Sequence, residues 1–420
     1  MLIKYDENVL QRPDYLSVDF FQEVTEYVLR SPSPDIKNID ITMASKTGDN
    51  YCSLIYRIKI LYRDCKDSKE SEQLKTISLI IKSMPISKPI DFLLDMKVFL
   101  KEKIFYNLML PLMEFLLDDQ RKFGARLYHC SKNPINTLVF EDLNTLGYRI
   151  ASREDGFDET HAQLILKRLA EFHAISIIIN KKDPMIMKSF NTGLLAKDAL
   201  EREGNSFFKL IQFTFNALIE LTKTIKGYEH ITRKLEKYAI NLRSRIIECQ
   251  MPQTDDYQVL NHGDMWVNNL MFNYNEQGKP NDMIFVDYQM SIWGSPGIDL
   301  NYFFYTSLPL EMLKSKLKDL SLIYHQNLVA TLNRFNYNEI PTYEQIQNEI
   351  HKRAAYGFFA NHTIYPLISM DKSLSIDCTF ENLAHEQFAI KKFQKVFNTP
   401  RLKAMYSYTL KQFDEMKVFD

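Results

Sequence analysis

The sequence lacks the features of a membrane-spanning or disulfide-stabilised protein. No run approaches the roughly 18 consecutive apolar residues that a transmembrane helix needs. The 5 cysteines in 420 residues are scattered and have no metal-ligand spacing, which predicts reduced thiols in a cytoplasmic protein. The N-terminus turns acidic at once and has no apolar core, so no signal peptide is predicted.

An excess of charge of one sign is also missing. The 52 basic and 53 acidic residues give a net charge of −1, which favours neither nucleic acid nor an anionic membrane as a partner. The chain is 45% hydrophobic and 25% charged, which is a globular composition. Because 420 residues exceed one ordinary hydrophobic core, we expect two lobes.

One polar stretch carries the strongest functional signal. His262, Asp264 and Asn269 follow one short apolar run, and Asp287 ends another. The segment between them contains Gly278 among Pro and Asn residues, which predicts a β-hairpin. Asn269 lies nine residues before Gly278 and Asp287 nine after it (278 − 269 = 9; 287 − 278 = 9). A turn centred on Gly278 would therefore place the two side chains opposite each other.

This arrangement suits phosphoryl transfer. An amide oxygen and a carboxylate at cross-strand distance can share Mg²⁺, which prefers oxygen ligands together with substrate phosphates. Asp264, on the loop before the hairpin, is then positioned to meet a hydroxyl. A base, an Asn ligand and an Asp ligand in this order match the site of protein-kinase-like enzymes. The alternative is a set of ordinary loop polar residues, but the joint occurrence of the motif and the hairpin favours catalysis.

The first part of the chain predicts a helix over residues 17–30 and then a β-hairpin. Its strands cover 39–43 and 54–62, and its polar turn contains Gly48, Asp49 and Asn50. Backbone N–H groups in such a turn can bind phosphates, and an ordinary hairpin tip is the alternative interpretation.

Two charged residues of this region are candidates for an ion pair. Lys82 ends a short apolar strand, and Glu102 lies on the apolar face of a helix predicted over 91–109. A buried Glu102 would need a cationic partner, and a strand lysine paired with a helix glutamate is a kinase element. The alternatives are a lysine that snorkels to the surface and an exposed glutamate. The next strand suits a hinge whose backbone could face an adenine, with Glu141 and Leu143 as candidates.

The rest of the chain predicts mainly helices. Asp158 should cap a helix that runs to about Ile178, on which His173 is interpreted as a buried core histidine. Asp299 should cap the helix that follows a Gly-Pro turn. Further helices are predicted over 206–226, 231–249, 309–334, 342–366, 380–396 and 399–416.

At this point the motifs match a known family. His262-Gly263-Asp264-x-Trp266-x-x-Asn269 with Val286-Asp287-Tyr288-Gln289 resembles the insect ecdysteroid kinase-like proteins, which are relatives of choline kinases and aminoglycoside phosphotransferases. The resemblance covers most of residues 38–305 in order, including 48–51, Lys82, Phe99-x-x-Glu102-x-x-x-Tyr106, 138–143 with 147–148, and 169–174. It implies an α+β, bilobal protein-kinase-like fold with an N-lobe over 1–140, a hinge over 141–147 and a C-lobe over 148–420.

The resemblance also implies roles for the candidate residues. Asp264 would be the catalytic base on a loop braced by His262, and Asn269 and Asp287 would bind Mg²⁺. For ATP, the implied binding residues are Lys82 held by Glu102, the loop of Gly48, Asp49 and Asn50, and the backbone from Glu141 to Leu143. The implied substrate is a small lipophilic alcohol, an ecdysteroid or a related sterol or xenobiotic. A monomer is favoured, and the oligomeric state is left open.

The sequence departs from the family pattern at two points, and two alternative functions are left open. The nucleotide loop has one glycine where many relatives have two, and no Phe-Gly follows Asp287, which argues against a protein kinase. One alternative function is a non-catalytic, kinase-like carrier of lipophilic ligands. The other is a choline- or aminoglycoside-type kinase with the same mechanism.

Overall fold

The structure is a computed structural model that describes residues 2–6, 9, 13–44, 53–63, 73–84, 97–117, 121–152 and 156–420. The chain divides into two compact units. The first comprises Met1–Ile90 and Gly124–Arg149, and the second comprises Asp91–Phe123 and Ile150–Asp420. The lobe boundaries at residues 140 and 147 remain a sequence-based prediction.

A mixed β-sheet forms most of the first unit. Its strand order is β1-β2-β3-β4-β6-β5, with β1 parallel to β2 and the other neighbouring strands antiparallel. The strands are β1 (Leu2–Tyr5), β2 (Asp35–Met43), β3 (Leu54–Arg63), β4 (Lys75–Ser83), β5 (Leu127–Ser131) and β6 (Thr137–Glu141).

Alternating apolar residues pack this sheet against helix α1 (Val18–Leu29). Ser17 caps the helix by accepting a hydrogen bond from the backbone N–H of Phe20 at 3.2 Å. The helix and strand residues that share the core include Phe21, Val24, Ile39, Ile41, Tyr56, Ile58, Ile60, Leu79 and Ile81. The predicted helix and both strands of the predicted hairpin are therefore confirmed.

The second unit is mainly helical. Its helices up to the polar stretch of residues 259–287 are α2 (Val98–Ile104), α3 (Leu110–Leu117), α4 (Glu159–Lys182), α5 (Pro184–Met187), α6 (Lys197–Glu201), α7 (Ser206–Lys223), α8 (Glu229–Ile240) and α9 (Leu242–Glu248). After it come α10 (Gly297–Ser307), α11 (Leu310–Ser315), α12 (Leu317–Arg334), α13 (Tyr343–Lys352), α14 (Ala354–Phe359), α15 (Tyr365–Ile368), α16 (Lys372–Ser375), α17 (Phe380–Leu383), α18 (Glu386–Phe397) and α19 (Pro400–Glu415). Among the helices so described, none is long and apolar enough to cross a bilayer.

Five predicted helices differ from the observed ones. The helix predicted to end at 109 passes through a π-helical turn, Phe105–Met109, and continues as α3. The wide turn lies directly before Pro111, which has no N–H to donate to the preceding turn. The helix predicted over 231–249 is broken at Asn241 into α8 and α9. The helices predicted over 309–334, 342–366 and 380–396 are also interrupted: they correspond to α11 and α12, to α13, α14 and α15, and to α17 and α18.

Short strands in the second unit hold the polar stretch that the sequence singles out. β8 (Val259–Asn261) pairs antiparallel with β11 (Ile292–Gly294), and β9 (Leu270–Tyr274) pairs antiparallel with β10 (Pro280–Phe285). The remaining strand, β7 (Arg149–Ile150), lies where the chain passes from the first unit to the second. The hairpin predicted around Gly278 is thus β9 and β10.

Candidate active site

The loop that carries Asp264 begins directly after β8 and needs a glycine at its second position. Gly263 has a φ of +83°, a backbone conformation that L side chains rarely adopt. A Cβ atom there would lie 2.7 Å from the carbonyl carbon of Met290, well inside ordinary contact distance. Glycine therefore lets this loop approach the turn Tyr288–Met290 more closely than any other residue could.

The carboxylate of Asp299 anchors the backbone of this loop. Asp299 is fully buried and accepts hydrogen bonds from the backbone N–H groups of His262 at 2.6 Å and Gly263 at 2.8 Å. The prediction that Asp299 caps its helix is wrong. Helix α10 begins two residues earlier, at Gly297, and the Asp299 side chain reaches across to the loop instead.

His173 provides a third partner for Asp299. Its Nε2 atom lies 3.1 Å from the Asp299 carboxylate, and its Nδ1 atom lies 2.8 Å from the hydroxyl of Tyr324. Burial lowers the pKa of His173, and the hydrogen bond with Asp299 opposes that shift. A neutral ring satisfies both contacts, because Nε2–H then donates to Asp299 and Nδ1 accepts from Tyr324. The interpretation of His173 as a satisfied core histidine is confirmed.

His262 links the loop to the strand that leads to Asp287. Its Nε2 atom lies 3.0 Å from the carbonyl oxygen of Val286, to which it donates, and its Nδ1 atom accepts from the Asp264 backbone N–H at 3.3 Å. The imidazole packs on the Tyr288 ring with centroids 4.9 Å apart. These contacts fix the position of His262 relative to the predicted base, Asp264, and the predicted metal ligand, Asp287.

Asp264 has a hydrogen-bond donor on each carboxylate oxygen. The hydroxyl of Tyr302 donates to Oδ1 at 2.5 Å, and the amide Nδ2 of Asn269 donates to Oδ2 at 2.9 Å. Burial raises the pKa of Asp264 to about 7; the bond from Tyr302 opposes this shift, and the nearby Asp287 carboxylate adds to it. The predicted base and the predicted metal ligand Asp287 are therefore close enough to interact electrostatically.

The hairpin register differs from the prediction by one residue. Asn275 and Lys279 pair across the turn, so its centre lies at residue 277, and an extra residue at Asn281 then shifts the pairing. As a result Asn269 lies opposite Val286, whose N–H donates to the Asn269 carbonyl oxygen at 3.0 Å. The prediction that Asn269 and Asp287 face each other directly is corrected: Asp287 follows one residue later.

The backbone of Asp287 leaves the strand conformation at this point. Its φ is +68°, which is rare for a residue with a side chain. The hydroxyl of Tyr106, on the π-helical turn, is hydrogen-bonded to the Asp287 backbone. Burial raises the pKa of Tyr106 well above its usual value, and the Glu102 carboxylate adds to this effect. Tyr106 thus interacts electrostatically with Glu102 and is hydrogen-bonded to the backbone of Asp287.

The donor set fits a magnesium ion that shares its ligands with phosphates. Both hydrogen bonds of the Asn269 side chain, to the carbonyl and to the carboxylate of Asp264, use Nδ2, so its Oδ1 atom takes part in neither. Among the described residues, no three His, Cys, Asp or Glu side chains are grouped to hold a metal alone. One amide oxygen and one carboxylate suit Mg²⁺, which is usually bound through one or two protein ligands with waters and phosphates.

Two candidate residues of the first unit, Lys82 and Glu141, lie on its sheet. Lys82 is buried on β4, opposite Leu138 of β6. Glu141 ends β6 and accepts a hydrogen bond from the Arg126 N–H, and Leu143 is buried in the 3-10 turn that follows. Glu102, by contrast, is buried on α2 of the second unit, so its pairing with Lys82 remains a prediction.

Asp142, between Glu141 and Leu143, is the centre of a polar cluster that the sequence did not predict. Asp142 accepts from Arg57 Nε at 2.9 Å, from Ser78 Oγ at 2.7 Å and from the Asn144 N–H. These bonds fix the chain at the predicted hinge. The phosphate-loop candidates Gly48, Asp49 and Asn50 lie outside the described residues.

Tyr302, which donates a hydrogen bond to Asp264, is the other residue of the site that the sequence did not predict. Its only available signal was its spacing, three residues after Asp299 on a helix, which places both side chains on one face.

With the fold and the site described, comparison with known proteins identifies the class. The α+β architecture, with a β-rich first unit and a helical second unit, is that of kinase-like proteins. A family model described as the ecdysteroid kinase-like family matches residues 47–337, and the chain belongs to this family. Membership indicates a kinase-like phosphotransferase acting on a small molecule. No curated protein matches the chain.

Proposed function

We propose that this protein transfers the γ-phosphoryl group of ATP to a hydroxyl of a lipophilic alcohol, an ecdysteroid or a related sterol or xenobiotic. The observation that carries the proposal is the contact between Asp264 and Asn269. One amide side chain binds the predicted base through Nδ2 and has Oδ1 available for a metal. This arrangement suits phosphoryl transfer, in which the base acts on the acceptor hydroxyl and the metal acts on the phosphates.

In this mechanism Asp264 orients the acceptor hydroxyl and accepts its proton. Its two oxygens accept hydrogen bonds from Tyr302 and Asn269 and retain lone-pair capacity for the substrate. Asn269 Oδ1 and the Asp287 carboxylate would hold Mg²⁺, which when bound neutralises charge on the phosphates. The network of His262, Gly263 and Asp299 keeps the loop in place, so that little reorganisation is needed during the reaction.

The nucleotide-binding part of the proposal rests on the family. Lys82, held by Glu102, would contact the α- and β-phosphates, and the loop of Gly48, Asp49 and Asn50 would cover them. The backbone from Glu141 to Leu143 would hold the adenine, and the Asp142 cluster would keep that backbone rigid. A monomer in the cytoplasm completes the proposal.

The test is a substrate screen with ATP and Mg²⁺ against ecdysteroids, other sterols, phenolic glucosides and choline. Mass spectrometry would detect added phosphate. With an accepted substrate, Asp264→Ala and Asp287→Ala should each lower turnover by about 10²–10³-fold or more. Asp282→Asn, near the turn end of β10, is the matched control and should retain activity.

The outcomes separate the alternatives. Phosphorylation of choline alone would replace the proposed acceptor and keep the mechanism. Unchanged turnover in both the Asp264→Ala and Asp287→Ala variants would refute the mechanism. Binding of lipophilic ligands without binding of Mg²⁺-ATP would favour a non-catalytic carrier.

A further inference from the structure

We propose that Tyr302 is a positioning residue that holds the carboxylate of Asp264 in the orientation needed to meet the acceptor hydroxyl. The inference rests on the proposed function, in which Asp264 acts as the base. It adds a residue that neither the motif nor the spacing of the metal ligands indicates, because Tyr302 lies 38 positions from Asp264 in the sequence.

Tyr302 lies on α10, the helix that also carries Asp299. This helix holds the catalytic loop twice, since Asp299 binds the loop backbone and Tyr302, one turn later, binds the Asp264 side chain. The helix is itself closely packed at its start: a Cβ atom on Gly297 would lie 2.8 Å from the Glu349 carbonyl carbon. The phenol of Tyr302 is therefore presented from a rigid element.

The hydrogen bond from Tyr302 to Asp264 is short, and its donor is buried. Tyr302 is 1% exposed, and its hydroxyl donates to Asp264 Oδ1 at 2.5 Å, a short distance typical of a bond to a charged acceptor. Asn269 Nδ2 donates to the other oxygen, Oδ2, at 2.9 Å. Two donors on different oxygens prevent rotation of the carboxylate about its Cβ–Cγ bond, which a single donor would permit.

A fixed orientation of the Asp264 carboxylate favours transfer to the acceptor hydroxyl. In-line phosphoryl transfer depends mainly on positioning, and the base must lie within hydrogen-bond reach of the acceptor proton. Loss of the Tyr302 donor would remove the bond to Oδ1, leave the carboxylate held by Asn269 and Trp266 alone, and lower the population of reactive geometries. Because the bond from Tyr302 goes to the proposed base, we expect its loss to slow the transfer step and to spare nucleotide binding.

The kinetic test compares Tyr302→Phe with the wild-type protein and with Tyr406→Phe. Tyr406 is also buried, and its hydroxyl donates to the Asn361 carbonyl oxygen at 2.9 Å, so the control loses a similar bond elsewhere. We expect Tyr302→Phe to lower kcat by about 10- to 100-fold with an unchanged KM for ATP. Tyr406→Phe should leave both constants unchanged.

A double variant distinguishes positioning from a general loss of packing. In an Asp264→Asn background, Tyr302→Phe should add less than about threefold, because the group that it positions no longer acts as a base. Effects that multiply, or a kcat unchanged in the single variant, would overturn the proposal. If Asp264→Asn itself leaves turnover intact, the proposed function fails rather than the role of Tyr302.

Crystal structures of the wild-type protein and of Tyr302→Phe supply a readout that does not require turnover. The wild-type protein should show the Tyr302 hydroxyl in hydrogen-bond contact with Asp264 Oδ1, and Tyr302→Phe should show a rotated or disordered carboxylate. A wild-type structure with the two groups apart, or an unchanged carboxylate in a well-folded Tyr302→Phe variant, would overturn the proposal.

Discussion

Replacing Gly263 with alanine tests how tightly the loop of Asp264 is packed. The new Cβ atom would lie 2.7 Å from the Met290 carbonyl carbon, whereas ordinary van der Waals contact begins at 3.4 Å. The loop or the turn would therefore have to move by more than 0.7 Å (3.4 − 2.7), because the Met290 carbonyl oxygen lies closer still. Because the neighbour is backbone rather than a flexible side chain, the displacement must be transmitted to the residues on either side, which include Asp264.

Two costs combine in this variant. An alanine at a positive φ costs about 1–2 kcal/mol, and overpacking against backbone adds about 1–3 kcal/mol. We therefore expect Gly263→Ala to lower the free energy of unfolding by about 2–5 kcal/mol. A shift of about 1 Å at a catalytic group lowers turnover by about 10²-fold, and we expect a loss of that size.

The control is Gly278→Ala, in the turn between β9 and β10. Gly278 has a similar φ of +75°, but nothing lies within 4 Å of the position of its Cβ atom. Gly278→Ala should therefore lose only the cost of about 1–2 kcal/mol for an alanine at a positive φ, and it should keep its turnover. Urea denaturation and steady-state kinetics measure both effects. Equal losses of stability and turnover in the two variants would refute the packing argument.

Three further predictions concern buried charges. Asp299→Asn should lower stability by about 2–4 kcal/mol and reduce turnover, because a neutral amide cannot accept all three N–H groups that the carboxylate accepts. Burial lowers the pKa of Lys101 from 10.5 to about 7, so its charge destabilises the fold below about pH 7 and this cost disappears as the pH rises towards 10.5. The stability advantage of Lys101→Met over wild type should therefore shrink by up to about 5 kcal/mol over that interval in urea denaturation. Asp142→Ala should lower stability by about 2–3 kcal/mol, because it leaves Arg57 and Ser78 without their shared acceptor.

Each of these predictions has a matched control. Asp319 is also the third residue of its helix but is exposed, so Asp319→Asn should change little; losses equal to those of Asp299→Asn would contradict the argument. Lys103→Met, at a partly exposed position on α2, should leave the pH dependence of stability unchanged. Ser78→Ala removes one donor to Asp142 and should cost less than the loss of Asp142 itself.

Local patterns predicted much of the fold. Alternation in β3 and the cap at Asp158 predicted elements that the structure contains, because both depend on residues near each other in the sequence. The hairpin shows the limit of such reasoning. Its two strands were predictable, but the turn centre at residue 277 and the bulge at Asn281 set the register, and no regular spacing encodes them.

The same limit applies to the site. The motif around Asp264 and Asn269 was legible because its residues are five positions apart, and the structure brings their side chains together. The partners of Asp299 lie 36 to 126 residues away along the chain, so its role as the anchor of the loop could not be predicted from its helical context. Tyr302 was missed for the same reason.

The most direct test of the metal-dependent transfer site is calorimetric titration of ATP into the protein with Mg²⁺ and with a chelator. The wild-type protein should bind ATP at least about tenfold more tightly with Mg²⁺, a difference of about 1.4 kcal/mol. Asp287→Asn should lose this dependence and Asp282→Asn should keep it. ATP binding that ignores Mg²⁺ in the wild-type protein, or a Mg²⁺ dependence that survives in Asp287→Asn, would contradict the assignment of Asn269 and Asp287 as the metal site.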